Sequence, residues 1–326
     1  MLSVPAPHPF DHREADVILR SSDKEPVDFR TFKLLLSLSS PFFSELFTLP
    51  QSGGLEIYTD ESVGIRGVPV VQMAEDSETL SILLGFCFPV SLFEHPRFVT
   101  LDQVRKVIEA AVKLEMLSLQ LHLKKELVAD RFIESQPIRV FAIAFRYGWD
   151  DEARKAARYT LRQSFSGSFV PELEYISGAT YFKLQEYHRV CGEVASARVL
   201  VQPALADVDD NWVWVTCRRC SGSSSRSSGL FSDLAQLIVG TPIPDTRRWW
   251  TQWIASVAAE LKKRPWGEVV RNWDLIKEAV SQAEACPVCH KKAREDLEGF
   301  AQMLAVDIER EISMVRFQHP LDPFWN

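Results

Sequence analysis

The chain lacks any apolar run approaching the roughly 18 residues that a membrane-spanning helix requires. Its opening stretch, MLSVPAPHPFDHREAD, mixes prolines with charges and holds no apolar h-region, which argues against a secretory signal. No GxSxG elbow, Walker loop, HExxH helix or GxGxxG turn occurs anywhere. The seven histidines are scattered, and nothing pairs two carboxylates across a cleft. Concentrated positive charge is missing as well. The net charge of −7 divides into −6 over residues 1–133, +1 over 134–205 and −2 over 206–326. Phosphate-backbone binding needs a basic footprint, so nucleic acid is not an expected partner. The small cluster Lys262, Lys263 and Arg264 suits the negative end of a helix. These absences point to a non-enzymatic protein without a membrane span, placed inside the cell in cytoplasm or nucleus.

The 326 residues suffice for two or three domains, and 46% hydrophobic with 25% charged residues is an ordinary globular composition. Residues 1–12, with Pro5, Pro7 and Pro9, are expected to form a flexible tail. Asp16–Ser21 reads as a short β-run, and Val27–Arg30 alternates as its hairpin partner should. A helix is expected from Lys33, restarted by Ser40 as N-cap with Pro41 at the first helical position. Residues 50–66, with Gly53, Gly54 and Gly64, read as a loop containing a short strand near Leu55–Tyr58. Val68–Met73 reads as a further strand, with Pro69 favouring an edge or a strand start. Asp76 or Ser77 can cap a helix that closes at Pro89. Val104, Val107, Ile108, Ala111 and Leu114 recur at helical steps, and another helix is expected over Ser118–Phe132.

The succession Asp16-Val17-x-Leu19, then Phe29-x-x-x-Lys33-x-x-Leu36-x-x-x-Ser40-Pro41-x-Phe43-x-x-x-Phe47, resembles the BTB/POZ signature. It continues through Val70-Val71 and Leu83-Leu84-x-Phe86-x-x-Pro89 to about residue 133. The loop Leu49-Pro50-Gln51 and the turn Gly67-Val68-Pro69 look most like fungal versions. Phe32 stands where the family usually has His, and Cys87-Phe88 replaces a frequent Ile-Tyr. The resemblance implies an α+β fold over 13–133, a small sheet flanked by helices. It also implies a protein-interaction module: many such domains form homodimers, and some dock a cullin scaffold to recruit ubiquitylation substrates. The surfaces implied are the Asp16–Leu19 strand and the helices Lys33–Phe47 and Ser77–Phe88. Asp16 and Lys33 match two charged family positions near the dimer interface; a fold-stabilising or exposed pair is the other reading.

Past Pro137 the pattern is helical throughout. Gly148 is placed as a C-cap, and Asp150 or Asp151 as the cap of a helix over Glu152–Arg162. A longer helix is expected from Ala179 or Tyr181 to Leu200. The stretch 134–205 is similar to the BACK-type extension that follows many BTB domains. After Gln202-Pro203 the composition shifts: eight of nine tryptophans follow residue 205, which marks 206–326 as a separate helical Cys/Trp-rich module. Ser221–Ser228 reads as a flexible insert, and helices are expected over Thr246–Lys263, Trp266–Ala285 and Lys291–Phe317.

Only six cysteines are present. Cys87 and Cys191 stand alone in apolar segments and read as small buried residues. The other four form Cys217-Arg-Arg-Cys220 and Cys286-Pro-Val-Cys289, followed by His290. A CxxC turn holds two thiolates close enough to share an ion, and two such turns supply a tetrahedral set. One structural zinc is therefore expected on Cys217, Cys220, Cys286 and Cys289, with His290 able to replace one thiolate. Packing cysteines and a redox pair are the alternatives, and the lack of a βαβ context argues against the second. Trp212/Trp214 and Trp249/Trp250/Trp253 could line a groove or fill a core.

Two functions follow. One is an adaptor or scaffold that assembles through its BTB-like part, including a cullin-type ubiquitin-ligase adaptor. The alternative is a nuclear regulator whose zinc module contacts nucleic acid or chromatin proteins.

Overall fold

The structure is a computed structural model that describes residues 3–49, 56–60, 65–89, 94–165, 169–201, 212–220 and 246–315. Gly53, Gly54, Gly64, the Gln202-Pro203 boundary, the Ser221–Ser228 insert and Phe317 lie outside the described residues. The chain divides into two units, Met1–Gln136 and Pro137–Asn326.

The first unit is built on a five-stranded sheet in the order β1-β3-β2-β5-β4. Its strands are β1 (Val4–Pro5), β2 (Val17–Arg20), β3 (Val27–Thr31), β4 (Glu56–Asp60) and β5 (Ile65–Gln72). β2 and β3 form the expected antiparallel hairpin, with Leu19 opposite Phe29, and β2 runs parallel to β5 with Ile18 opposite Val70. β5 is an interior strand, flanked by β2 and β4. It tolerates Pro69 because its ladder with β2 begins one residue later, at Val70.

The flexible tail expected over residues 1–12 is instead part of the sheet from residue 3 onward. β1 pairs parallel to β3, the Arg30 N–H donates to the Phe10 carbonyl, and Phe10 is buried against Phe29 and Phe88. A buried ion pair adds a second tie. Arg20 donates to Asp28 at 2.7 Å and 3.0 Å, and Ser3 donates to the same carboxylate at 2.6 Å. The prolines do not oppose this short strand, because the Val4 and Ala6 N–H groups make its bonds to the Pro26 and Asp28 carbonyls.

Helices α1 (Lys33–Ser39), α2 (Pro41–Thr48), α3 (Ser77–Gly85), α4 (Leu101–Lys113), α5 (Leu117–Leu127) and α6 (Asp130–Ile133) complete this unit. The single helix expected over 118–132 is thus two, parted where Ala129 adopts an extended backbone. Ser40 caps α2 by accepting from the Phe43 N–H at 3.2 Å, and its hydroxyl donates to the Leu114 carbonyl at 2.5 Å. One small side chain thereby ties the start of α2 to the end of α4. Asp76 caps α3 through the Thr79 N–H and also takes the Lys106 ammonium at 2.7 Å. α4 opens with a reciprocal capping box between Thr100 and Gln103 and buries Val104, Val107, Ile108 and Ala111.

The second unit is helical: α7 (Pro137–Arg146), α8 (Asp150–Thr160), α9 (Gly178–Val201), α10 (Val213–Thr216), α11 (Arg248–Lys263), α12 (Trp273–Ala283) and α13 (Cys289–Met314). Gly148 ends α7 with φ +65°. α8 begins at Asp150 itself, so Asp150, Asp151 and Glu152 lie in its first turn and favour the positive end of the helix rather than capping it. The helix expected over 266–285 is a 3₁₀ turn (Gly267–Arg271) followed by α12, which restarts where Asn272 accepts from the Asp274 N–H.

A boundary near residue 205 does not separate two modules. Leu161, Cys191, Ala195 and Val199 share one apolar core with Trp214, Trp250, Val257, Leu297 and Ile308. α9 and α11 cross so closely that a Cβ on Gly192 would stand 2.8 Å from the Lys262 carbonyl oxygen. The core therefore draws on both sides of the composition shift, with most of its residues after it. No helix among the described residues is long and apolar enough to cross a membrane.

Candidate functional site

Cys217 follows α10 directly, and Cys289 is the first residue of the 26-residue α13. Two contacts bring these distant segments together. Asp296, on the second turn of α13, accepts from the Val213 N–H at 2.8 Å and so anchors α10 ahead of the first CxxC turn. Trp212 and Trp214 stack at 5.0 Å, and both meet Phe300 of α13 edge-on. In the second turn, the His290 N–H donates to the Cys286 carbonyl at 2.9 Å as α13 begins.

The result is that all four sulfurs lie within 4.8 Å of one another. Cys217 is 3.6 Å from Cys286, Cys220 is 3.4 Å from Cys289, and Cys217 is 3.5 Å from Cys220. A tetrahedral ion with metal–sulfur bonds near 2.3 Å would set its ligands about 3.8 Å apart, which these separations match. All four cysteines are free thiols; three are buried and Cys220 is half-buried. His290 has an exposed side chain and takes no part in the group.

The thiols differ in their readiness to ionise. Burial raises Cys217, but the backbone N–H groups of Cys220 and Arg219 outweigh it and bring the thiol down to about 6. The Arg219 N–H stands 3.4 Å from that sulfur. Cys220 is pushed up by burial first and then by the neighbouring Cys217. Cys289 is pushed up by burial and by both Cys220 and Cys217, and against these the Trp249 indole N–H favours its thiolate. Four thiolates at this spacing repel one another unless a cation sits among them. A soft dication relieves that repulsion, and the donor set fits one. With four protein ligands the centre is closed to substrate, so it can staple the chain but not perform chemistry on a ligand.

The tryptophans are core rather than groove. Trp214, Trp249, Trp250 and Trp253 are all buried, and Phe300 lies within 6.3 Å, ring centre to ring centre, of Trp212, Trp214, Trp250 and Trp253. Asp296 carries no signal in the sequence. It is 83 residues from its partner Val213.

In the first unit, Asp16 and Lys33 meet. The Asp16 carboxylate accepts from the Lys33 backbone N–H at 2.7 Å and so satisfies the first turn of α1, while the Lys33 ammonium sits 5.7 Å over the Phe47 ring. Beside them Leu34, Leu38 and Phe42 are exposed at 68%, 76% and 39%. Phe32 lies edge-on to His12 at 5.3 Å, and the Cys87-Phe88 pair is buried.

Comparison with known proteins gives one positive result. The family model for the BTB/POZ domain matches residues 9–131. No curated protein matches the chain. The matched residues run from β2 through α5 of the first unit, leaving out β1, and residues 9–131 are a BTB/POZ domain, a fold that serves as a protein–protein interaction module.

Proposed function

We propose that this protein is a non-enzymatic adaptor that forms a homodimer through its BTB/POZ domain and presents a zinc-stapled helical unit to a further protein. The observation that carries the first half is the apolar face of α1 and α2. Leu34 and Leu38 lie one helical turn apart and Phe42 follows them, all exposed beside the Asp16–Lys33 contact. Large apolar side chains exposed this close together in the chain support reading this face as an interaction surface. Asp16 and Lys33 flank it and supply the charged rim.

The second half rests on the four-cysteine group, for which zinc is the fitting ion by ligand type and geometry. The helical pair α7–α8 directly after the domain supports a BACK-like reading of that extension. The loop sequence around Leu49 supports a fungal type. Cullin docking is the version in which the adaptor recruits ubiquitylation substrates.

Light scattering on the full chain tests the assembly. Two copies per particle are expected, falling to one in Leu34→Glu/Leu38→Glu; a monomer at all concentrations would end the dimer reading. Capture of the chain by a cullin scaffold would identify the ligase version. Salt-sensitive retention on DNA would favour the nuclear regulator instead.

A further inference from the structure

The two cysteine turns carry cations as well as sulfur. Arg218 and Arg219 stand between Cys217 and Cys220, and Lys291 and Lys292 follow Cys289 and His290. The chain spreads these charges over stretches 69 residues apart, so no run of the sequence announces them. The fold joins them: Cys220 stands 3.4 Å from Cys289, sulfur to sulfur, and Cys217 3.6 Å from Cys286. Arg218, Arg219, Lys291 and Lys292 are thus each a few residues at most from a ligand of one centre, and all four are exposed.

Arginines elsewhere in this unit hold carboxylates, such as Arg139 with Glu172, Arg158 with Glu309 and Arg264 with Glu260. No ion pair among the described residues engages Arg218, Arg219, Lys291 or Lys292, and Glu295, one turn further along α13, joins neither lysine. The two lysines lie at the start of α13, where the helix field disfavours cations and no acid in the first turn offsets them. A zinc-filled centre offsets part of this charge, since four thiolates around one dication leave a net of two minus against four cations. Positive charge therefore remains on the rim. A large apolar side chain stands beside it. Trp273, at the start of α12, is 48% exposed, and the guanidinium of Arg294, two residues beyond Lys292, lies 4.8 Å over its ring. Exposed tryptophan and arginine are the side chains that most often anchor protein interfaces.

We propose that the rim of the metal centre docks an acidic segment of a partner protein: its carboxylates meet Arg218, Arg219, Lys291 and Lys292, and an apolar side chain among them packs on Trp273. This deepens, and rests on, the reading of the zinc-stapled unit as the part presented to a further protein. Extent favours protein over nucleic acid. The net charge over 206–326 is −2, and these cations surround one point rather than tracking a phosphate backbone.

The test is fluorescence anisotropy on the zinc-loaded full chain with a labelled peptide of alternating Glu and Leu residues. A single-stranded DNA oligonucleotide of equal charge is the comparison probe. Wild type is expected to bind the peptide more tightly than the DNA, and less tightly as salt rises. Lys291→Glu/Lys292→Glu should weaken peptide binding at least about 10-fold, because like charges then face the carboxylates. Lys262→Glu/Lys263→Glu, the same charge change at the exposed end of α11, should match wild type. Trp273→Ala should weaken this peptide but leave binding of an all-Glu peptide unchanged. No binding by wild type, tighter binding of the DNA, or equal loss in the two charge-reversal variants would overturn the proposal. The neutral Lys291→Gln/Lys292→Gln separates the rim from the centre: it should keep its zinc and bind the peptide more weakly. Lower zinc content with unchanged peptide binding would assign the lysines to the centre's own charge and overturn the proposal as well. A wild type without zinc overturns the metal reading itself, a result read from metal content before any probe is added.

Discussion

In residues 1–136 the ends of the elements are tied by side chains that cap or pair across the fold: Asp28 with Arg20 and Ser3, Ser40 with Leu114, Asp76 with Thr79 and Lys106. In residues 137–326 such ties, Arg139 with Glu172 and the Gly267 N–H with Glu309, are joined by a tryptophan-rich core and four thiols contributed by two turns 69 residues apart. Both units bury apolar surface, but they guard against unravelling differently. The first distributes the task over many short contacts, each supplied by residues close to a helix end or strand. The second adds to its ties one centre where two distant turns meet, between helices α10, α11 and α13 that have no side-chain cap at their starts.

Four perturbations sharpen this contrast, from the largest effect to the smallest. Stripping the ion with a chelator is expected to open the helical unit while the BTB/POZ domain keeps its protection, as read by hydrogen exchange on the full chain. Structural zinc supports folding on a scale of about 10 kcal/mol in isolated zinc fingers, so the loss should be cooperative. Equal loss in both units would erase the contrast. Asp28→Ala leaves the Arg20 guanidinium, only 12% exposed, without its bidentate partner, and should cost about 3 kcal/mol in denaturant melts of the first unit. Gly192→Ala forces α9 away from the Lys262 carbonyl and should cost the second unit about 1–3 kcal/mol without altering metal content.

The smallest effect is a pH dependence. Burial alone would raise Asp76, but the Lys106 and Thr79 hydrogen bonds outweigh it and lower its carboxyl below the ordinary 3.8. A carboxyl lowered in the folded state contributes stability that is complete above 3.8 and fades as pH falls through its folded value. Asp76→Asn should therefore lower the first unit's stability at neutral pH and flatten its acid limb, so that variant and wild type converge as pH falls. A steeper acid limb in the variant would contradict the cap.

Much of this architecture could be read before any coordinates. Strand alternation at Val17–Arg20 and Val27–Thr31, the Ser40-Pro41 restart and the helical period through α4 are local signals, and local physics kept them. The paired CxxC turns were legible for the same reason, since two thiols in one turn must point together. What was not legible depends on contacts across the chain. Three prolines in the first nine residues suggest disorder, yet Ser3, Val4 and Phe10 find partners on β2, β3 and their neighbours. The jump in tryptophan content past residue 205 suggests a new domain. It marks instead the larger part of a core to which Cys191, Ala195 and Val199 also belong. Asp296 is invisible in sequence because its role exists only once α13 lies beside the first cysteine turn.

The metal content of the purified full-length chain, measured beside Cys286→Ser, tests the central claim most directly. One zinc per chain in the wild type and none in the variant is the result expected. A wild type without metal, or a variant that keeps it, would contradict the claim that these four cysteines staple the helical unit.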